Sequence, residues 1–286
     1  MGNSIQNMSM CANCGKGEED AESLKTCTAC HMVKYCNTAC QKAHRPQHKK
    51  ACNERAAELH KEELFKQPPQ KKDCPICLAP LPFSQNITHQ VCCGTKVCHG
   101  CNYSMYCGGE SKKPGDYPCP FCRHPLGGGG QGKVYFEMIQ KRMDVNDASA
   151  IYQLGDDYFQ GYRGLTVDKK KAFELHSRAA KLGHEGAHVR LHDAYEKGEV
   201  VERNKKKATY HLEMAAILGS VIARHNLAVY EERKGDYRMS MKHFMIAARS
   251  GWKEALEPIK RNGYMLGIVT KDEFAETLRA CQVSRS

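Results

Sequence analysis

Small apolar residues recur at a regular spacing among charged residues through the C-terminal half of the chain. Ala-Ala stands at 179–180, 215–216 and 247–248, and a glycine follows each pair, at 183, 219 and 251. The stretch DKKKAFELHSRAAKLG also aligns with NKKKATYHLEMAAILG residue for residue. Small residues let neighbouring helices approach closely, and glycine ends helices. The pattern therefore predicts an all-α solenoid of helix-turn-helix repeats.

Polar residues suited to N-cap positions indicate where the helices of this region begin, including the last one. A capping box formed by Thr270 and Glu273 predicts a last helix that closes the stack. We expect repeats over residues 148–255 and C-terminal capping helices over 256–286. The side chains that suit the N-cap positions of the repeat helices are those of Asp168, Asn204 and Asp236.

The repeats resemble a known family. Glycines at 161, 198 and 235 recur every 37 residues, which exceeds the period of 34 in tetratricopeptide repeats. With YQLGDDYFQG and KAFELHSRAAKLG, the region looks like about three Sel1-like repeats. The resemblance implies an adaptor scaffold that binds proteins on its concave face.

Cysteines divide the chain sharply. The chain of 286 residues has 17 cysteines, and sixteen of them lie between Cys11 and Cys122. The N-terminus lacks the apolar segment of a secretory signal, and no apolar run approaches the ~18–20 residues of a membrane span. We therefore expect a cytoplasmic or nuclear protein with reduced thiols, in which cysteine pairs bind metal instead of forming disulfides.

The first module, residues 11–52, contains eight metal-binding side chains in four pairs. Its spacing is Cys-x2-Cys, Cys-x2-Cys, Cys-x3-Cys and His-x3-Cys, which suffices for two tetrahedral zinc sites. So small a module has too little apolar surface to fold without metal. The ligand candidates are Cys11, Cys14, Cys27, Cys30, Cys36, Cys40, His48 and Cys52.

This module resembles a MYND-type zinc finger in the order and spacing of all eight ligands. The resemblance implies an interleaved ligation, and it implies binding of partner proteins, often through proline-containing peptides. One departure is Arg45, where the family usually has Trp. The implied sets are Cys11, Cys14, Cys36 and Cys40 for zinc 1, and Cys27, Cys30, His48 and Cys52 for zinc 2.

Two linkers separate the predicted modules. Residues 53–73 begin with good helix formers and predict a solvated helix, ended by prolines at 68–69. Residues 124–147 contain four consecutive glycines at 127–130, which predict a flexible joint and lead-in before the repeats.

The second module, residues 74–123, resembles a RING-type finger but lacks its usual histidine. Thr95 occupies that position, and threonine is a poor zinc ligand. An all-cysteine version is complete if the adjacent Cys92 and Cys93 both bind, which needs a sharp turn at Gly94. His89 is the alternative to Cys92. The sets that we favour are Cys74, Cys77, Cys98 and Cys101 for zinc 3, and Cys92, Cys93, Cys119 and Cys122 for zinc 4; Cys107 is left as a spare thiol.

The RING resemblance also implies a contact face for a ubiquitin-conjugating enzyme. RING ligases position the enzyme and its ubiquitin without a covalent step, so no catalytic residue is expected on this chain. The matching positions are Ile76, Pro120, Phe121 and Arg123.

The formal charge of +11 is weak evidence for a nucleic-acid partner. Fifteen thiolates would remove fifteen charges and four Zn²⁺ would add eight, which leaves +4. The sequence thus predicts two small cross-brace α+β zinc fingers followed by an all-α solenoid, with proteins as partners. We interpret the chain as an adaptor, either a RING-type ubiquitin ligase whose solenoid and MYND finger recruit substrate or a scaffold whose fingers only bind protein. A nucleic-acid-binding regulator is the third alternative.

Overall fold

The computed structural model describes residues 10–17, 23–68, 72–81, 87–107, 118–124 and 131–283. The chain divides into two compact units, Met1–Lys66 and Gln67–Ser286. A cysteine-rich N-terminal region precedes a mostly helical repeat region, which confirms the predicted fold class. Among the described helices, none is both long and apolar enough to cross a bilayer.

The first unit combines a short hairpin with one long helix. Strands β1 (Lys25–Thr26) and β2 (Lys34–Tyr35) are antiparallel, and α1 (Thr38–Leu64) follows them. Asn37 caps α1, because its side-chain oxygen accepts a hydrogen bond of 2.8 Å from a backbone N–H in the first turn. The helix predicted for the linker is the C-terminal half of α1.

The second unit begins with the second cysteine module. Strands β3 (Ile87–His89) and β4 (Lys96–Cys98) pair antiparallel, and α2 (His99–Cys107) follows directly. The small core of the module contains Cys74, Leu81 and Val97. In this module, the metal-binding side chains thus supply much of the stabilisation that a hydrophobic core supplies in larger domains.

Helices of similar length make up the rest of the second unit. Along the stack, the helices that begin at Ala148, Glu185 and Val221 each pack on the helix that follows. The repeat region ends in a 3₁₀ turn (Lys253–Ala255), α10 (Leu256–Pro258), a π-helical segment (Ile259–Tyr264) and α11 (Lys271–Val283). The main helices are α3 (Gln131–Asp144), α4 (Ala148–Gln160), α5 (Lys169–Lys181), α6 (Glu185–Lys197), α7 (Lys205–Ile217), α8 (Val221–Arg233) and α9 (Tyr237–Arg249).

The local signals in the sequence account for these helix bounds. Asp168, Asn204 and Asp236 each cap a helix through their side-chain oxygens. Thr270 and Glu273 form the expected capping box, with reciprocal distances of 2.8 and 3.2 Å. The alanine pairs lie in the helix interfaces, where Ala179, Ala215 and Ala247 are fully buried.

The second module is packed against the start of the repeat region. Val91 lies on the core formed by α3, α4, α5 and α6, and His89 faces Asp147 at the start of α4. The glycines at 127–130 lie outside the described residues. Contacts of Val91 and His89 thus join the second module to the repeat region directly, and the flexible joint over 124–147 stays a prediction.

Candidate metal centres

Four groups of metal-binding side chains converge in the described parts of the chain. Within each group, the sulfur and nitrogen atoms all lie within 4.8 Å of one another. The groups are Cys11, Cys14, Cys36 and Cys40 (cluster 1); Cys27, Cys30, His48 and Cys52 (cluster 2); Cys74, Cys77, Cys98 and Cys101 (cluster 3); and Cys92, Cys93, Cys119 and Cys122 (cluster 4).

The sulfur separations test whether zinc fits these groups. Two sulfurs bound to one tetrahedral zinc at ~2.3 Å lie about 3.8 Å apart, whereas a disulfide needs about 2.05 Å. In cluster 1, the sulfurs of Cys14 and Cys36 are 3.6 Å apart, and those of Cys36 and Cys40 are 3.5 Å apart. These separations leave room for a central ion and exclude a covalent bond.

The other clusters have similar dimensions. The Cys77 and Cys98 sulfurs of cluster 3 are 3.9 Å apart, and the Cys93 and Cys119 sulfurs of cluster 4 are 3.8 Å apart. In cluster 2, the Cys30 sulfur lies 3.2 Å from Nε2 of the buried His48. All four clusters therefore offer a soft, tetrahedral donor set of the kind that holds structural zinc.

The interleaving within each module is visible in the chain positions of the ligands. Cys36 and Cys40 flank the start of α1, and His48 and Cys52 lie one turn apart farther along the same helix. Because a residue and its i+4 neighbour share one face of a helix, the second pair points in one direction. The ligands of clusters 1 and 2 therefore alternate in pairs along the chain, as the MYND resemblance implied.

A shared turn presents four of the five Cys-x2-Cys pairs; the fifth, Cys98 and Cys101, spans the end of β4 and the start of α2. After the second cysteine of each of these four pairs comes a residue in the left-handed conformation, whose N–H donates to the carbonyl of the first cysteine. Gly15 has this role after Cys14 with φ 72°. Non-glycine residues take it in the other three pairs, namely His31, Leu78 and Arg123, with φ between 59° and 61°. L-residues enter this region at a cost, which metal ligation by the two cysteines would offset.

The turn around the doubled cysteine answers which residue completes cluster 4. The N–H groups of Cys93 and Gly94 both donate to the Gln90 carbonyl, at 3.2 and 2.7 Å, and Gly94 has φ 77°. This tight turn brings both adjacent sulfurs into one cluster. His89 lies elsewhere, with Nε2 3.4 Å from Asp147 Oδ2. Of the two alternatives from the sequence, the structure brings Cys92 into the cluster.

Two other residues of the second module also have clear places. The Thr95 hydroxyl lies 3.2 Å from the Cys93 sulfur, so the residue at the usual histidine position borders cluster 4 without joining it. Cys107 is the last residue of α2.

The protons of cluster 1 are distributed unequally. Burial opposes ionisation of Cys11, but backbone N–H groups of Cys14 and Cys36 outweigh it and lower the pKa of Cys11 to about 6. Hydrogen bonding with the Cys40 thiol raises the pKa of Cys36 to about 12. One thiolate thus forms easily while its neighbour keeps its proton. A divalent cation would displace the remaining protons, which is the usual chemistry of zinc–thiolate binding.

The residues proposed to contact a conjugating enzyme lie on the surface near clusters 3 and 4. Ile76 is 42% exposed and Phe121 is 37% exposed, and both Pro120 and Arg123 are also exposed. Leu78, which sequence reasoning missed, is 75% exposed. Its left-handed conformation follows from the turn, a property that a leucine in the sequence does not signal.

Comparison with known proteins supports two of the three sequence resemblances. Family models match residues 11–52 as a MYND finger and residues 148–184 and 188–220 as Sel1 repeats. A RING-type finger is not shown over residues 74–123 by that comparison. A search of curated proteins found no match.

Two solved structures are similar to the repeat region. A Sel1 repeat protein from Oxalobacter formigenes is 25% identical, with 44% of this chain and 96% of that chain covered and a TM-score of 0.40. The protective antigen c5321 of uropathogenic Escherichia coli, which displays an SLR fold, is 29% identical, with 52% and 33% covered and a TM-score of 0.43. This chain thus spans about one third of the length of c5321. The chain carries a MYND finger and Sel1 repeats, and its Cys/His clusters indicate zinc binding.

Proposed function

We propose that this chain is a protein-interaction adaptor that binds four zinc ions. The observation that carries the proposal is the convergence of sixteen cysteine and histidine side chains into four groups, each of a size suited to one zinc. The MYND finger and the Sel1 repeats place the chain among modules that bind other proteins. Zinc holds the two fingers folded, and the fingers and repeats recruit partners.

The number and location of the zinc ions can be tested by native mass spectrometry of the full chain. We expect four zinc ions in the wild type, three in Cys92→Ser and four in His89→Ala, because only the first variant removes a member of cluster 4. Retention of four ions by Cys92→Ser together with loss of one by His89→Ala would assign the ligand to the histidine and contradict the proposal.

A finer proposal concerns the exposed face of the second finger. Ile76, Leu78 and Phe121 are apolar and exposed, although so small a module has few apolar residues to spare. Exposed apolar groups that cluster on a surface mark protein-binding sites. We propose that this face, with Pro120 and Arg123, meets a ubiquitin-conjugating enzyme, so that the chain acts as a ubiquitin ligase by positioning.

A reconstituted ubiquitination reaction separates this finer proposal from a pure scaffold. The full chain is incubated with activating enzyme, a panel of conjugating enzymes and ubiquitin. We expect chain formation by the wild type and by Leu182→Ala, which changes an exposed leucine of the repeats. Ile76→Ala and Arg123→Ala should reduce it about tenfold or more, the scale of a lost interface contact. If the wild type forms no chains with any conjugating enzyme, the scaffold function stands and the ligase function fails.

A further inference from the structure

The hairpin of the second finger meets the first helices of the repeat stack. We infer that this finger is the N-terminal cap of the solenoid, and that the metal of cluster 4 keeps the cap closed on the start of α4. A repeat stack buries each unit against its neighbours, so its first unit needs a cover that is not itself a repeat. The inference goes beyond partner binding, and it depends on zinc in cluster 4.

An apolar contact forms one half of the cap. Val91, in the turn between β3 and β4, packs against the core to which Ile139 and Met143 of α3 and Ala150 and Ile151 of α4 belong. Ile139, Ala150 and Ile151 are almost fully buried. The side chain of Val91 therefore completes the end of a core that the repeats alone would leave partly open to water.

A carboxylate forms the other half. One oxygen of Asp147 caps α4, because it accepts a hydrogen bond of 2.9 Å from the Ser149 N–H. The other oxygen accepts a hydrogen bond of 2.9 Å from Arg142 Nε and lies 3.4 Å from His89 Nε2. The side chains of His89 and Asp147 are each only 12% exposed. The residue that begins the first repeat helix thus also holds the finger.

The turn also lies close to the side chains of Arg142 and Asp147. A Cβ on Gly94 would lie 2.2 Å from Arg142 Nη2 and 3.0 Å from Asp147 Oδ2. A glycine leaves room for this approach and adopts the φ of 77° without strain.

The metal ligands lie between the contact points along the chain. Cys92 and Cys93 follow His89 and Val91 and precede Gly94, and all five residues belong to the β3–β4 hairpin. A zinc ion bound to both sulfurs fixes the conformation of that turn and therefore the spacing of the contacts. Loss of the ion frees the turn, and α4 then loses its apolar cover and one partner of its capping carboxylate.

Hydrogen–deuterium exchange of the full, zinc-loaded chain tests the inference. In the double variant Cys92→Ser, Cys93→Ser, we expect amides of α4 to exchange about tenfold faster or more, because local opening sets the exchange rate. Amides of α8 and α9, at the far end of the stack, should be unchanged. The matched control is Cys36→Ser, Cys40→Ser, which removes cluster 1 and should leave α4 exchange at the wild-type rate.

A second pair of variants separates the effect of the His89–Asp147 contact, called the clamp, from the effect of the metal. His89→Ala removes a clamp contact but no cluster member, and His99→Ala changes an exposed histidine of the same finger. We expect both to retain four zinc ions, with faster α4 exchange only in His89→Ala.

The inference is overturned if the Cys92, Cys93 variant loses one zinc ion yet exchanges its α4 amides at the wild-type rate. It is also overturned if wild-type cluster 4 binds no zinc, which native mass spectrometry would reveal. Failure to recruit a partner or to build ubiquitin chains would count against the proposed function and leave this inference intact.

Discussion

Gly155 lies on the buried side of α4, opposite the ring of His176. A Cβ at this position would lie 2.6 Å from His176 Cδ2 and 3.3 Å from Leu175 Cβ. The histidine ring has little room to move, because it is buried and its Nε2 lies 3.2 Å from Asp156 Oδ1. The absence of a side chain at Gly155 thus sets how closely α4 and α5 approach.

We expect Gly155→Ala to lower the free energy of unfolding by about 1–2 kcal/mol. Overpacking costs about 1–3 kcal/mol, and the higher helix propensity of alanine offsets up to about 1 kcal/mol of it. Urea unfolding followed by circular dichroism measures the change. Gly100→Ala is the control, since a Cβ there meets nothing within 4 Å. Equal stability of both variants would show that the His176 ring moves aside at little energetic cost.

Single residues also show where sequence reasoning reaches its limit. Spacing identified the ligand candidates, because soft ligands in pairs have few other uses in reduced compartments, and the two zinc-finger resemblances implied the sets that converge in the structure. Spacing did not decide between Cys92 and His89, since the choice depends on which way a turn faces. In the structure, the local turn at Gly94 brings Cys92 into cluster 4, whereas His89 is buried against Asp147, which is distant in sequence.

The repeat helices could be predicted from local signals, but the π-helical segment after them could not. N-cap residues and alanine pairs predicted the repeat helices, because both signals act within one or two turns. The π-helical segment Ile259–Tyr264 had no such signal in the sequence. Tertiary packing sets it, since Ile259 and Gly263 are buried there under α9 and Val269.

The capping box of α11 gives a prediction for one element. Thr270→Ala removes the hydroxyl that accepts from the Glu273 N–H at 3.2 Å, so we expect a loss of about 1 kcal/mol in unfolding free energy. Faster amide exchange should be confined to the first turns of α11. Lys271→Ala, next to it in the chain, is the control and should change neither quantity. An unchanged α11 in Thr270→Ala would mean that packing alone holds the helix.

Buried histidines link the stability of the whole molecule to pH. Burial, with the Arg224 charge adding to it, lowers the pKa of His243 to about 3, against 6.5 for the unfolded chain. Burial likewise lowers the pKa of His184 and His211 to about 4. The folded protein keeps these groups neutral while the unfolded chain binds protons below pH 6.5. Stability therefore falls as pH decreases through that value.

We expect unfolding to become easier by roughly 1 kcal/mol for His243 alone between pH 7.5 and 5.5. The fluorescence of Trp252, the single tryptophan, reports on urea unfolding of the repeat region, where Trp252 packs on the C-terminal core. His243→Gln should show a smaller pH dependence than the wild type, and His99→Gln, at an exposed site, an equal one. A wild type equally stable at both pH values would contradict this assignment.

At the scale of the molecule, the sequence predicted the parts but not their junction. The two cysteine-rich modules are indicated by the local spacing of their ligands, and the solenoid is indicated by its periodicity. His89 and Asp147 are separated in the chain by the last Cys-x2-Cys pair and a glycine-rich segment. No sequence pattern indicates that the two residues are in contact. Consecutive glycines predict a flexible joint, and contacts made outside that segment, by Val91 and His89, could not be predicted from it.

The order of the clamp along the chain also has a consequence during synthesis. The hairpin and then Cys119 and Cys122 leave the ribosome before α3 and α4 do, because they precede them in the chain. Cluster 4 is thus complete in sequence before its docking surface exists, and N-terminal parts fold first as they emerge. A nascent finger that has already bound zinc would be folded when the first repeat helices emerge, and they would pack against it. The supply of zinc during translation would then affect how much of the chain folds its first repeat correctly.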